Sequence, residues 1–169
     1  MWKRGLKKQV VDACEVGYDD VNKMITFPVR DERGKLVMIT KRSVNNKTFL
    51  IDKEVEKPVY LLYNNLQWGA KELYICESQI NALTAIGFGV NAVALFGTGT
   101  PKQYNILNNC GIRNFVLAFD GDDAGDLAIT RFLNNIRKDV FVSILKVPRG
   151  KDINDLSEEE FYNLEVVSV

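Results

Sequence analysis

The 169-residue chain has no histidine, and its three cysteines, Cys14, Cys76 and Cys110, stand far apart without a CxxC spacing. A structural zinc site within the chain is therefore not expected, because such sites are built from closely spaced thiolates and imidazoles. Long apolar runs are also missing. No stretch approaches the roughly 20 apolar residues of a membrane span, and the basic start from Trp2 to Lys8 lacks the apolar run of a signal peptide. A cytoplasmic, reducing setting and no membrane partner are the expectation. Low-complexity tracts are absent, and 46% hydrophobic residues suffice for one core or two small subdomains without disulfide staples.

Net charge is absent as well, but only in the sum. Residues 1–71 carry 14 Lys+Arg against 9 Asp+Glu, whereas residues 72–169 carry 8 against 13. A basic half joined to an acidic half suits a protein that grips a polyanion with one part and concentrates cations with the other.

What is present divides at about residue 70, giving an expected subdomain over 1–70 and a second domain over 71–169. The first part reads as a short helix over 6–16, strands over Met24–Arg30 and 36–40 joined by a turn at Asp31–Gly34, and a third extended piece over 47–51. That is a small antiparallel unit. From Lys71 onward, short apolar runs alternate with helical periods: strands over 72–76, 90–96, 114–119 and 140–147, with helices over 79–86, 101–108 and 123–136 between them. The pattern implies an α/β fold, a mostly parallel, Rossmann-like sheet with helices on both faces. Ser78, Thr100 before Pro101, and Asp122 or Asp123 are placed to cap the three helices.

In such sheets the functional crevice lies beyond the carboxyl ends of the strands. Glu77 directly follows the first apolar strand, Asp120-Gly121-Asp122 the third, and Asp152-Ile-Asn-Asp155 the last. If the strands are parallel, these carboxylates converge into an oxygen-rich, histidine-free edge of the kind that Mg²⁺ prefers, with Mn²⁺ able to substitute. The competing reading of Asp120, Asp122 and Asp123 is helix capping at the positive end of a helix dipole, and that of Glu77 a surface ion pair. The Gly97-Thr-Gly-Thr100 turn fits neither GxGxxG nor GxxxxGK[ST]. It is a glycine turn, or one in which Thr98 or Thr100 positions a phosphate.

Together, the strand-end glutamate, the Gly-Thr turn and the run Asp120-Gly-Asp-Asp-Ala-Gly125 resemble the TOPRIM domain shared by bacterial-type primases and type IA and II topoisomerases. Ile25–Asp31 with Gly34, followed by Lys41-Arg-Ser43, looks like the basic subdomain preceding TOPRIM in DnaG-like primase cores. Gly150–Leu156 is similar to the last acidic motif of primases, especially phage and mobile-element versions. The resemblance implies Glu77, Asp120 and Asp122 as catalytic, metal-binding residues with Asp152 as a further metal ligand. It also implies that Arg30, Lys47 and Lys57 contact nucleotide or template, with Lys41 and Arg42 able to serve equally in place of the last two. Two departures stand out: Asn81 and Asn154 occupy positions where the family usually has aspartate, leaving Asn81, Asn154 and Asp155 as further possible ligands.

The expected function is that of a DNA primase core, a nucleotidyltransferase making short primers on a single-stranded DNA template from nucleoside triphosphates during replication, with a replicative helicase as possible partner. Phe27, Phe49 or Tyr60 would stack on bases or fill the core. A TOPRIM nuclease and a non-catalytic nucleic-acid-binding TOPRIM module are the alternatives. The strand-gating domain of a topoisomerase has no room in 169 residues.

Overall fold

A computed structural model describes residues 5–46, 48–52 and 54–169. A short helix α1 (Lys8–Ala13) leads into four strands, β1 (Gly17–Asp19), β2 (Met24–Arg30), β3 (Leu36–Ser43) and β4 (Phe49–Leu50), paired in that order and antiparallel throughout. Strand β2 alternates as a half-buried strand must, with Ile25, Phe27 and Val29 inward and Thr26, Pro28 and Arg30 outward. The helix is shorter than the sequence pattern suggested. It ends at Ala13, and Glu15 just beyond takes a left-handed conformation (φ 55).

Helix α2 (Leu62–Gln67) then precedes β5 (Glu72–Cys76), α3 (Gln79–Gly87), β6 (Ala92–Ala94), α4 (Pro101–Asn109), β7 (Asn114–Leu117), α5 (Asp123–Asn135) and β8 (Phe141–Leu145). After β8 come a 3₁₀ turn (Ile153–Asp155), α6 (Glu158–Tyr162) and β9 (Val166–Ser168). The second sheet has the order β6-β5-β7-β8-β9, parallel except for β9, which runs antiparallel to β8. It is thus a mostly parallel α/β sheet, as expected, with an antiparallel strand at one edge.

Its connections explain the layers. The chain steps from β5 outward to β6 through α3, then returns past β5 to β7 through α4 and continues through α5 to β8. Because parallel crossovers are right-handed, reversing direction sends α4 and α5 to the face opposite α3. The core divides accordingly. On one face Ile80 and Leu83 of α3, Phe161 of α6 and the inner residues of β2 pack on Cys76, Ala94 and Val116; on the other, Leu107 of α4 and Ala128 and Phe132 of α5 pack on Leu73, Ile75 and Leu117. The strand order therefore reverses between β5 and β7, and the crevice expected at such a reversal lies beyond their carboxyl ends.

The two sheets are joined directly. Tyr60, fully buried, forms a bridge with Ala94 at the free edge of β6 and stacks edge-on against Phe27 and Phe96. No helix among the described residues is long and apolar enough to cross a membrane.

Candidate active site

The residues after β5 and β7 build the site. Ser78 caps α3 by accepting from the Asn81 backbone N–H at 3.1 Å, which turns the chain sharply and leaves Glu77 half-buried at the crevice. The Glu77 carboxylate accepts from the Asp120 backbone N–H at 3.4 Å. Asp120 in turn accepts from the Asn81 side-chain amide at 2.8 Å. Asn81 is 1% exposed, and its Oδ1 has no hydrogen-bond partner among the described residues.

The Asp-Gly-Asp-Asp-Ala-Gly run has a steric logic. A Cβ on Gly121 would stand 2.1 Å from the Pro148 carbonyl oxygen, and one on Gly125 1.9 Å from that of Asp120. Both are positions where backbone must touch backbone. The contact at Gly121 is a reciprocal pair, with Gly121 N–H donating to the Lys151 carbonyl (2.9 Å) and Gly150 N–H to that of Gly121 (2.8 Å). Asp122 caps α5 through Gly125 N–H at 2.8 Å, and Asp152 caps the 3₁₀ turn through Asp155 N–H at 3.1 Å, with Asp155 reciprocating.

The electrostatics follow from crowding. Burial, then the carboxylates of Glu77, Asp152 and Asp122, push the Asp120 carboxyl up to about 7 against the pull of the Asn81 amide. Burial and Asp122 also raise Glu77, opposed by its bond from the Asp120 backbone. The acidic edge carries more negative charge than it neutralises.

A cavity of about 350 Å³ opens between this edge and the antiparallel sheet. Glu77, Ser78, Gln79, Gly97 and Asp120 line one side, and Phe27, Arg42, Phe49, Ile51 and Lys57 the other, with Phe96 also in the wall. Phe96 is held at φ 56, a conformation that costs a residue with a Cβ about 1 kcal/mol or more and is typical of functional loops.

The candidate cations separate into groups. Arg42 and Lys57 reach the cavity. Arg30 is clamped to Glu15, with its Nε and Nη2 on the carboxylate at 2.8–3.0 Å, and also bonds the Gly34 carbonyl. Lys41 pairs with Asp19 at 2.8 Å, an interaction that holds Asp19 well below the usual carboxylate range. Lys47 lies outside the described residues. Thr98 is tied into its own loop: its hydroxyl accepts from Arg131 at 2.7 Å and its carbonyl from the Tyr104 hydroxyl at 2.6 Å. Asn154 turns its amide to Thr84 Oγ1 at 2.9 Å, bracing the 3₁₀ turn against α3.

Sequence reasoning missed Ser78 as part of the cavity wall, and missed Gln79 and its partner Thr40. A polar residue at the first position of the helix, directly beside the strand-end Glu77, was the available signal. Among the aromatic candidates Phe27 and Tyr60 are buried, 1% and 0% exposed, whereas Phe49 is 42% exposed at the cavity mouth.

A mostly parallel sheet with acidic residues following β5 and β7 defines a TOPRIM domain, and residues 74–157 match the Toprim-like family. The chain as a whole, antiparallel sheet included, is similar to the TOPRIM-containing core of DnaG-like primases. It is 33% identical over 128 residues to the DNA primase of Haemophilus influenzae, an alignment covering 70% of this chain and 22% of that protein. The chain thus corresponds to about a quarter of the length of the curated relatives it matches. Among solved structures, the DnaG primase catalytic domain bound to ssDNA superposes with a TM-score of 0.78 at 22% identity, covering 95% of this chain and 68% of that one. The primase fragment of the bacteriophage T7 primase-helicase superposes at 0.76 and 20% identity, covering 92% and 67%.

TOPRIM primases are metal-dependent. The donor chemistry here suits a hard cation: all oxygen, mutually repelling, with the orphaned Asn81 Oδ1 among them. Among the described residues, however, no three His, Cys, Asp or Glu side chains are gathered as a ready cage. Asp122 and Asp152 each spend one oxygen on a cap, and Asp120 gives one to Asn81.

Proposed function

We propose that this chain is the nucleotide-polymerising core of a DNA primase, making short primers on single-stranded DNA, with residues 1–70 as the basic subdomain and 71–169 as the TOPRIM domain. The observation that carries the reading is the cavity where Glu77 and Asp120 face Arg42 and Lys57 across an aromatic floor. A nucleoside triphosphate needs each of those surfaces: cations for phosphate, carboxylates for the metal on it, and aromatic wall for the base.

Glu77, Asp120 and Asp122 would hold Mg²⁺, or Mn²⁺ in its place, with Asp152 as an outer ligand. When bound, the metal would neutralise charge on the transferred phosphoryl group. The residues of the chain do the rest. Arg42 and Lys57 draw the polyphosphate toward the acidic edge, the caps of Ser78 and Asp122 fix the loops that carry the carboxylates, and the apolar wall excludes water. Asn81 engages one Asp120 oxygen and favours the ionised form of that carboxyl. Single-stranded DNA is the template this reading requires, in keeping with the solved catalytic domain bound to ssDNA. The relation to the primase-helicase of bacteriophage T7 makes a helicase the natural partner to test.

A second reading, a nucleic-acid-binding module without catalysis, is favoured by the use of Asp122 and Asp152 as caps. The deciding experiment is nucleotide incorporation on single-stranded DNA with Mg²⁺ or Mn²⁺, comparing wild type with Asp120→Asn. Metal-dependent oligonucleotides that vanish in the variant support the primase core. Retained DNA binding without synthesis supports the module, and cleavage of labelled DNA without nucleotides would point to a nuclease.

A further inference from the structure

Gln79, the first residue of α3, lines the cavity yet is 4% exposed. Its Oε1 accepts from the hydroxyl of Thr40 on β3, at 2.8 Å, and Thr40 is 0% exposed. Its Nε2 is sealed from solvent and has no acceptor among the described residues. The orientation of the amide follows from proton counting. Thr40 has a single hydroxyl proton and no other acceptor for it among the described residues, so an Oε1 turned toward Thr40 uses that proton. A flipped amide would leave both the hydroxyl proton and Oε1 without partners. The donor that remains belongs to a rigid group anchored from the antiparallel sheet. A buried donor without an acceptor is costly, and such groups in native proteins are satisfied by protein, ordered water or, where they line a cavity, a bound ligand.

The surrounding wall indicates what that is. Phe49 and Ile51 stand at the mouth, on and just after β4, which contributes two residues and pairs on one side only with β3. Of the walls, this is the one that shifts most readily. Phe27 and Phe96 add two further aromatic rings to the wall, and the volume, about 350 Å³, is that of a nucleoside-sized ligand.

Resting on the primase reading, we propose that Gln79 is a specificity-determining residue, donating through Nε2 to an acceptor on the base of the incoming nucleotide, with Thr40 as the residue that positions it. The phosphates lie toward Lys57 and the carboxylates of the acidic edge, and the base lies beside Gln79, where Phe49 moves to admit it. An amide donor held in this way rewards any base that presents a ring nitrogen or carbonyl there, and gives nothing to the sugar or phosphates.

The test separates base from phosphate. The 169-residue chain, with Mg²⁺, is titrated calorimetrically with ATP, GTP, CTP, UTP and ribose 5′-triphosphate, which lacks a base. Gln79→Met should weaken the nucleotides with suitably placed acceptors about 3- to 10-fold, the effect of one net hydrogen bond, and leave ribose 5′-triphosphate unaffected. Because Gln79→Met orphans the Thr40 hydroxyl, the double variant Gln79→Met with Thr40→Val is run beside it, and should show the same loss with wild-type thermal stability. Equal weakening of ribose 5′-triphosphate, or no change for any nucleotide, overturns the assignment. A loss confined to binding of a single-stranded oligonucleotide also overturns it, by moving the base to the template. Failure of wild type to bind any triphosphate overturns both this and the functional reading. Base-selective binding without primer synthesis removes the functional reading alone.

Discussion

Asp120→Asn should make the protein more stable at pH 8 and no more stable at pH 4. Asp120 rises from 3.8 to about 7 on folding, chiefly by burial and then by its carboxylate neighbours. Between those two values the folded state holds a proton that the unfolded chain has released, so stability falls as pH climbs from about 4 to 7 and is level above that. A shift of about 3 pH units corresponds to roughly 4 kcal/mol. Asp120 is only partly buried, and screening by solvent brings the figure to about 2 kcal/mol. Asparagine keeps the acceptor for the Asn81 amide while removing the charge. At roughly 2–4 °C per kcal/mol for a chain of this size, the variant should melt about 4–8 °C above wild type at pH 8, the gap closing by pH 4. Thermal unfolding by circular dichroism over that range measures it directly. Millimolar Mg²⁺ at pH 8 should raise the wild-type midpoint and leave that of the variant almost unmoved. A gap independent of pH, or a wild type that melts higher at pH 8, would refute the account of the acidic edge.

Gly125→Ala sets a Cβ 1.9 Å from the Asp120 carbonyl, so it should cost about 2–3 kcal/mol in urea unfolding and displace Asp120 enough to abolish metal-dependent synthesis. Gln103 is 0% exposed and bonds the Pro58 and Leu95 carbonyls and the Thr100 N–H; Gln103→Leu strands all three and should lower stability by about 3 kcal/mol or more, read from the urea midpoint. Arg42→Ala or Lys57→Ala should weaken nucleoside triphosphate binding at least about tenfold, as the loss of a charged phosphate contact does. Lys41→Ala should weaken it less, because Lys41 is engaged by Asp19; equal effects in calorimetry would contradict the division of cations made from the cavity.

Where local chemistry decides the structure, the sequence was legible. Ser78, Thr100 and Asp122 all cap the helices they precede, and the alternation of apolar runs with helical periods is the second sheet. Elements whose causes are distant were not. Helix α2 begins after Leu61 at φ 63 with no side-chain cap, so nothing local announces it. Strand β1 has three residues and owes its existence to pairing with β2, and β9 owes its own to β8. The site shows the same division. The acidic loops could be read because Gly121 and Gly125 leave a signature, whereas nothing near Arg30 or Lys41 in the chain says that Glu15 and Asp19 will engage them.

The reciprocal hydrogen bonds between Gly121 and the turn over 148–151 have an evolutionary consequence. Two loops nearly thirty residues apart share one seam, so neither can lengthen, shorten or drift without the other following. Sequence change at this end of the molecule should come in matched pairs across the seam.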